Sequence, residues 1–240
     1  MNGARVRLAL FDLDGTLADT RAIEDRCYER AVCDALGLAA LDRDWARYRH
    51  VSDTGIASEA HEAAFGIPAP GPLLERAAAR FLELLTAEWA ASPHEIVALP
   101  GAAELLAALP GHGWAVAVAT GGWRRSARFK LEAAGLPLDD LPLASAEDGP
   151  ARVDIVRAAI GRAAARHGRA AFDRIVSIGD GVWDVTAATE LRLPFLGVAT
   201  GARAARLRDA GAGAVVGDFS RLGDVLALLD RVDAPPGARV

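Results

Sequence analysis

At 240 residues, 52% hydrophobic and 25% charged, the chain has the length and apolar content for one large core with room for a smaller second domain. A net charge of −5 leaves no basic surplus to neutralise a phosphate backbone, so nucleic acid is not an expected partner. No apolar stretch approaches the ~18 uncharged residues of a membrane span, the first apolar run ends in two aspartates rather than a cleavage site, and two cysteines point to a reducing cytoplasm.

The first apolar run, 6–11, reads as a buried strand that closes on the string FDLDGTL at 11–17. Residues two apart on a strand project to one side, so Asp12 and Asp14 address a single site as the strand ends. Two carboxylates that close repel unless a cation or a shared proton compensates. A pair of acids in a turn is the plain alternative for an isolated Asp-x-Asp. From 18 to 94 no strand pattern is evident. Helical patterns run over 21–36 and 73–89, while VSDTG at 51–55 and GIPAPGP at 66–72 read as loops. Residues 18–94 are therefore expected to form a helical domain inserted behind the first strand, with 1–17 and 95–240 as the core domain. Cys27 and Cys33 lie six apart on the first of those helices, point in different directions and are expected as free thiols. The chain re-enters the core at ALPG, 98–101.

A second apolar strand, 114–120, ends in Thr120, Gly121 and Gly122 ahead of a helix at 124–134. A hydroxyl and free backbone amides at a helix N-terminus suit a phosphoryl oxygen; a threonine helix cap is the plain alternative. After a helix at 153–167, the strand at 174–179 ends in Asp180, and Asp184 follows one helical turn later on the same face. With Asp12 these carboxylates form the hard-oxygen environment that suits Mg²⁺. Strands at 195–199 and 214–216, with a helix at 202–210 between them, continue the alternation. The pattern predicts an α/β fold, a doubly wound parallel sheet, with the ligand site beyond the carboxyl ends of its strands. The tail from Asp233, with PPG at 235–237, is expected to be disordered.

The DLDGT string, the Thr-Gly-Gly strand end and the later GDGVWD, in this order, resemble the haloacid dehalogenase-like superfamily over nearly the whole chain. The resemblance is to its phosphatase branch with a Rossmann-like core and a small helical cap, similar to phosphoglycolate phosphatase and β-phosphoglucomutase. It implies a Mg²⁺-dependent hydrolase that cleaves a small phosphorylated metabolite through an aspartyl-phosphate, as a monomer or homodimer. Asp12 would be the nucleophile, and Asp14 would protonate the leaving oxygen and then activate water. Mg²⁺ would be bound by the Asp12 side chain, the Asp14 carbonyl and Asp180, with Asp184 direct or through water. Thr120 and the Gly121 amide would hold the phosphoryl group, and the loop carrying Arg49, His50, Asp53 and Thr54 would reach over the substrate.

One departure stands out. The family usually places a lysine or arginine within the stretch EDGPARVD, 147–154, and Pro150 falls near the expected lysine. Arg152 is the nearest cation and is expected to bridge Asp12 and the phosphoryl oxygens. Lys130, the only lysine in the chain, is the rival and is expected to point away from the strand end. Among other activities on this scaffold, a true dehalogenase does not use the second aspartate, and a phosphonate hydrolase needs a cap lysine that 18–94 lacks. A phosphosugar mutase shares the core motifs and stands as the alternative. The intact acidic set weighs against a non-catalytic binding protein.

Overall fold

The computed structural model describes residues 6–136 and 141–236. In chain order these form β1 (Arg7–Phe11), β2 (Ala18–Asp19), α1 (Arg21–Leu36), α2 (Asp53–Phe65), α3 (Gly71–Ala91), β3 (Val97–Ala98), α4 (Ala102–Ala108) and β4 (Trp114–Ala119). They continue with α5 (Arg124–Ala133), β5 (Leu143–Ala144), α6 (Arg152–Arg166), β6 (Ile175–Gly179), α7 (Val182–Leu191), β7 (Phe195–Val198), α8 (Gly201–Asp209), β8 (Ala214–Val216) and α9 (Leu222–Arg231). Short 3₁₀ turns join several of these elements.

Six strands form one parallel sheet in the order β5-β4-β1-β6-β7-β8. Strand β1 has no polar position among Leu8, Ala9, Leu10 and Phe11 because both of its faces are covered. Leu8 and Leu10 pack with Ala115, Ala117 and Ala119 of β4 against Ile155, Ala159 and Ala163 of α6. Ala9 and Phe11 face the other way, toward Leu105, Leu131, Phe219 and Leu229. The alanines along β4 and α6 leave little side-chain bulk between sheet and helix. The chain runs from β1 outward to β4 on one side and to β6 on the other, and ligand crevices open at such a reversal of strand order.

Strands β2 and β3 pair antiparallel, Ala18 with Ala98 and Asp19 with Val97, so the chain leaves the sheet and returns to it side by side. Between them α1, α2 and α3 pack around Tyr28, Val32, Phe81 and Leu85, and Trp123 from the start of α5 joins that cluster. No helix among the described residues is long and apolar enough to cross a membrane.

Three expectations are corrected. VSDTG is not a loop but the start of α2, with the Ser52 side chain accepting from the Gly55 amide at 3.1 Å; serine and aspartate read equally as turn formers and as helix caps. The short strands β2 and β3 were invisible to periodicity because two residues cannot alternate. The tail is ordered beyond Asp233, whose carbonyl accepts from the Phe195 amide at 3.1 Å, and Pro235 is buried. Residues 237–240, with Gly237, lie outside the described residues.

Candidate active site

Each sheet strand bordering the crevice delivers one polar group. Asp12 follows β1 directly, its amide donating to the Ile178 carbonyl of β6 at 2.8 Å. Thr120 follows β4, its amide donating to Ala144 of β5 at 3.0 Å, while its Oγ1 accepts from the Gly122 amide at 3.0 Å. Asp180 follows β6, and Asp184 sits in the first turn of α7, with its Oδ2 accepting from the Gly181 amide at 3.1 Å. Asp12, Asp180 and Asp184 are all buried and offer ligand oxygens within 4.8 Å of one another. Gly15, at φ +78°, allows this closeness: a Cβ there would lie 2.1 Å from Asp180 Oδ2.

Arg152, the first residue of α6, enters the cluster from the side. Its Nη2 lies 2.5 Å from Asp12 Oδ1, and its Nε donates to Asp184 Oδ1 at 2.8 Å. Arg203 of α8 donates to Asp180 Oδ2. Three carboxylates thus face two guanidiniums. Burial pushes the Asp12 carboxyl up to about 7, against the pull of Arg152 and with the repulsion of Asp184 and Asp14 added. Burial, with repulsion from Asp12 and Asp184, likewise raises Asp180 well above the usual carboxylate range. An all-oxygen, buried donor set with excess negative charge fits a small hard divalent cation.

Lys130 does not point away. Fully buried, its ammonium lies 2.7 Å from Asp14 Oδ2 and 2.8 Å from Glu24 Oε1 of α1, and 5.9 Å from the centre of the Phe81 ring. Lys130 lies six residues into α5, about 9 Å along the axis. Helical side chains lean toward the N-terminus, and a lysine stem spans most of that distance back to the strand ends. The other Asp14 oxygen accepts from Thr20 Oγ1 at 2.6 Å. The structure therefore puts both cations in the site, Arg152 on Asp12 and Lys130 on Asp14.

Above these residues lies a cavity of about 300 Å³, lined by the aspartates 12, 14 and 180, by Thr120, Gly121, Gly122 and Arg152, and on the insert side by Glu24, Tyr28, Trp45 and Asp53. A Cβ at Gly121 would lie 2.6 Å from Arg152 Nη1 and 3.1 Å from the Val51 carbonyl oxygen, so a side chain there would displace the guanidinium. The insert is latched over the strand ends. The Asp53 amide donates to the Gly121 carbonyl at 2.8 Å, Asp53 Oδ2 accepts from the Trp123 amide at 2.8 Å, Trp123 Nε1 donates to Thr54 Oγ1 at 3.0 Å, and Ser52 Oγ donates to the Pro150 carbonyl at 2.8 Å. Arg49 and His50 line a different cleft, beside Arg157 and Thr186, with Val51, Arg152 and Trp183 as the partition. Glu59 accepts from both of their backbone amides at 2.9 Å and holds them on that far side.

The sequence reading kept Lys130 only as the rival to Arg152, directed away from the site, and missed Thr20, Glu24, Trp183 and Arg203. For Lys130 and Glu24 a signal exists: Lys130 shares a helical face with Ala127, Leu131 and Ala134, and Glu24 lies one turn after Thr20. A lone charge on an apolar stripe calls for a buried partner.

The family model described as a haloacid dehalogenase-like hydrolase matches residues 6–191. The chain belongs to this family. A solved hydrolase from Pseudomonas syringae is similar at 25% identity, covering 92% of this chain and 97% of that one, with a TM-score of 0.69. CbbY from Rhodobacter sphaeroides, solved in complex with phosphate, is 26% identical over 91% of this chain and 96% of that one, with a TM-score of 0.63. A candidate β-phosphoglucomutase from Bacteroides vulgatus shares the fold at 17% identity, covering 94% and 89% with a TM-score of 0.68. No curated protein matches the chain. In this haloacid dehalogenase-like hydrolase, the acidic strand ends, the Thr-Gly-Gly loop and the cavity over them occupy a single crevice.

Proposed function

We propose that the chain is a Mg²⁺-dependent phosphatase that hydrolyses a small phosphomonoester, with the phosphate bound by CbbY as supporting analogy. The observation that carries this reading is the convergence of Asp12, Asp14, Thr120 and Arg152 on one cavity beside a buried carboxylate cluster. The phosphoryl group would sit between Asp12 and the Thr120–Gly121 loop, where the Gly121 amide and Arg152 Nη1 can meet its oxygens. An Asp12 oxygen attacks phosphorus, the ester P–O bond breaks, and the departing alkoxide takes a proton from Asp14. Water then gives a proton to Asp14 and attacks the acyl phosphate, releasing inorganic phosphate and restoring the Asp12 carboxylate. Asp12, the Asp14 carbonyl, Asp180 and Asp184 would hold Mg²⁺, which supplies the positive charge that lets an anionic carboxylate approach an anionic phosphate.

The test is release of inorganic phosphate from p-nitrophenyl phosphate and a panel of phosphorylated metabolites, with and without Mg²⁺. Turnover with Mg²⁺ that is absent in Asp12→Asn is the expected result. Purified protein that releases no phosphate from any of them, or that converts a sugar phosphate to its isomer without net phosphate release, would overturn the reading.

A further inference from the structure

The two ends of the cavity differ in charge. At the strand ends it is lined by Arg152 and Arg203 among the aspartates. On the insert side it is lined by the carboxylates of Glu24, Asp25 and Asp53 and the rings of Tyr28 and Trp45. Of the arginines within 18–94 only Arg21 reaches the lining, as a half-exposed side chain 3.1 Å from Asp19 that acts on Asp180 at the strand ends. A second phosphate or a carboxylate on the substrate would therefore meet acidic groups at that end.

Among the described residues, each carboxylate lining the cavity has a basic partner except one. Asp12 pairs with Arg152, Asp14 and Glu24 with Lys130, Asp25 with Arg43 at 3.3 Å and Asp180 with Arg203. Asp53 is more than nine-tenths buried and makes no direct ion pair, with Lys130 acting on it only from a distance. Its Oδ2 accepts from the Trp123 amide, and its Oδ1 has no hydrogen-bond partner among the described residues. Burial raises this carboxyl to about 7, against Lys130 and the Trp123 amide and with Asp14 and Glu147 adding to the rise. Lys130 is the cation that acts on Asp53, but its ammonium is bonded to Asp14 and Glu24, so a cation brought in by the ligand would supply the direct pairing that this cavity-lining carboxylate lacks. The nearby aromatic rings supply a second attraction for such a cation.

Building on the phosphatase reading above, we propose that the leaving group of the substrate carries a primary ammonium, held by Asp53 with Tyr28 and Trp45 beside it. The substrate class is a phosphorylated amino alcohol or amino sugar small enough for about 300 Å³, with one phosphate and no second anionic group. Asp53 is the specificity-determining residue, and the bond it makes to the Trp123 amide orients it.

The experiment measures kcat/KM with Mg²⁺ for matched pairs that exchange an amine for a hydroxyl: 2-aminoethyl phosphate against 2-hydroxyethyl phosphate, and glucosamine 6-phosphate against glucose 6-phosphate. Fructose 1,6-bisphosphate and p-nitrophenyl phosphate complete the set. A hydrogen bond to a charged group corresponds to a preference of at least about tenfold, expected for the amine in at least one pair. In Asp53→Asn, which keeps an acceptor for the Trp123 amide, that ratio should fall to within about threefold of unity. Equal rates within both pairs, a preference for the bisphosphate, or an Asp53→Asn variant that loses rate on all substrates with the ratio intact would overturn the assignment. If the variant does not fold, the wild-type ratios alone decide. Those outcomes leave the phosphatase reading standing as long as p-nitrophenyl phosphate is hydrolysed; no hydrolysis of any compound removes that reading and this one with it.

Discussion

Replacing Lys130 by methionine keeps most of the apolar stem and removes only the ammonium. In the wild type that ammonium sits in a fully buried position between Asp14 and Glu24, at 2.7 and 2.8 Å. Its loss leaves two largely buried carboxylates facing each other without a counter-ion. Breaking a buried ion pair from one side costs roughly 3–5 kcal/mol, a large share of the ~5–15 kcal/mol that holds a protein folded. For a chain of this length that corresponds to a fall in Tm of about 6–20 °C. Urea unfolding followed by the fluorescence of the five tryptophans measures it at pH 8, where protonation gives the carboxylates least relief. Burial and repulsion from Asp14 already hold Glu24 well above its ordinary range despite Lys130, so adding Glu24→Gln to Lys130→Met should recover about 1 kcal/mol or more. A Lys130→Met loss below about 1 kcal/mol, or strict additivity in the double variant, would refute the buried three-group network.

Other outcomes follow from the same geometry. Chelator-treated protein should regain phosphatase activity with Mg²⁺ and only poorly with Ca²⁺, whose longer bonds and higher coordination number suit the cluster badly; equal activity with both ions would count against it. Asp14→Asn should slow an alkyl phosphate far more than p-nitrophenyl phosphate, whose leaving group needs no proton, and equal losses on both would remove Asp14 from the acid role. Arg152→Ala should lower kcat by roughly 10²–10³-fold, with partial rescue in Arg152→Lys, whereas a variant within a few-fold of wild type would make Arg152 structural only. With the Asp53 carboxyl raised from 3.8 to about 7 by burial, the native state binds an extra proton between those values, so its contribution to stability is lost as pH rises through that window. Unfolding free energies of Asp53→Asn and wild type should therefore diverge in favour of the variant from pH 4 to 7.

The core was legible because its information is local. Each apolar run with an acid or Thr-Gly at its end became a strand within one residue of the expected limits, and each polar end lies in the crevice. That holds for Asp12, Thr120 and Asp180, whose neighbours in sequence also fix their direction, while Asp184, in the first turn of α7, joins the carboxylate cluster beside the crevice. Strand β5 escaped notice because two residues, Leu143 and Ala144, carry no period, although they supply the carbonyl that anchors Thr120. Arg49 and His50 were chosen for their place on a loop expected to reach over the substrate, but place in the sequence gives no direction. Glu59, one helix later, decides which cleft they line.

Thr20 and Glu24 escaped detection, and the direction of Lys130 was misjudged, for one shared cause. Lys130, Thr20 and Glu24 meet only because α1 and α3 of the insert pack toward α5 of the core, a relation spread over more than 100 residues of sequence. Asp12 is held differently. Its partner Arg152 opens α6 and bonds Asp184 of α7, so the proposed nucleophile is fixed by core elements alone. Asp14 is the next aspartate on the same strand end, yet both of its oxygens are engaged, one by Thr20 at the start of the insert and one by the lysine that also binds Glu24. A shift of the insert therefore disturbs the surroundings of Asp14 while leaving the Asp12–Arg152–Asp184 set in place. Two carboxylates two residues apart thus answer to different parts of the molecule, the proposed nucleophile to the sheet and the proposed acid to the insert.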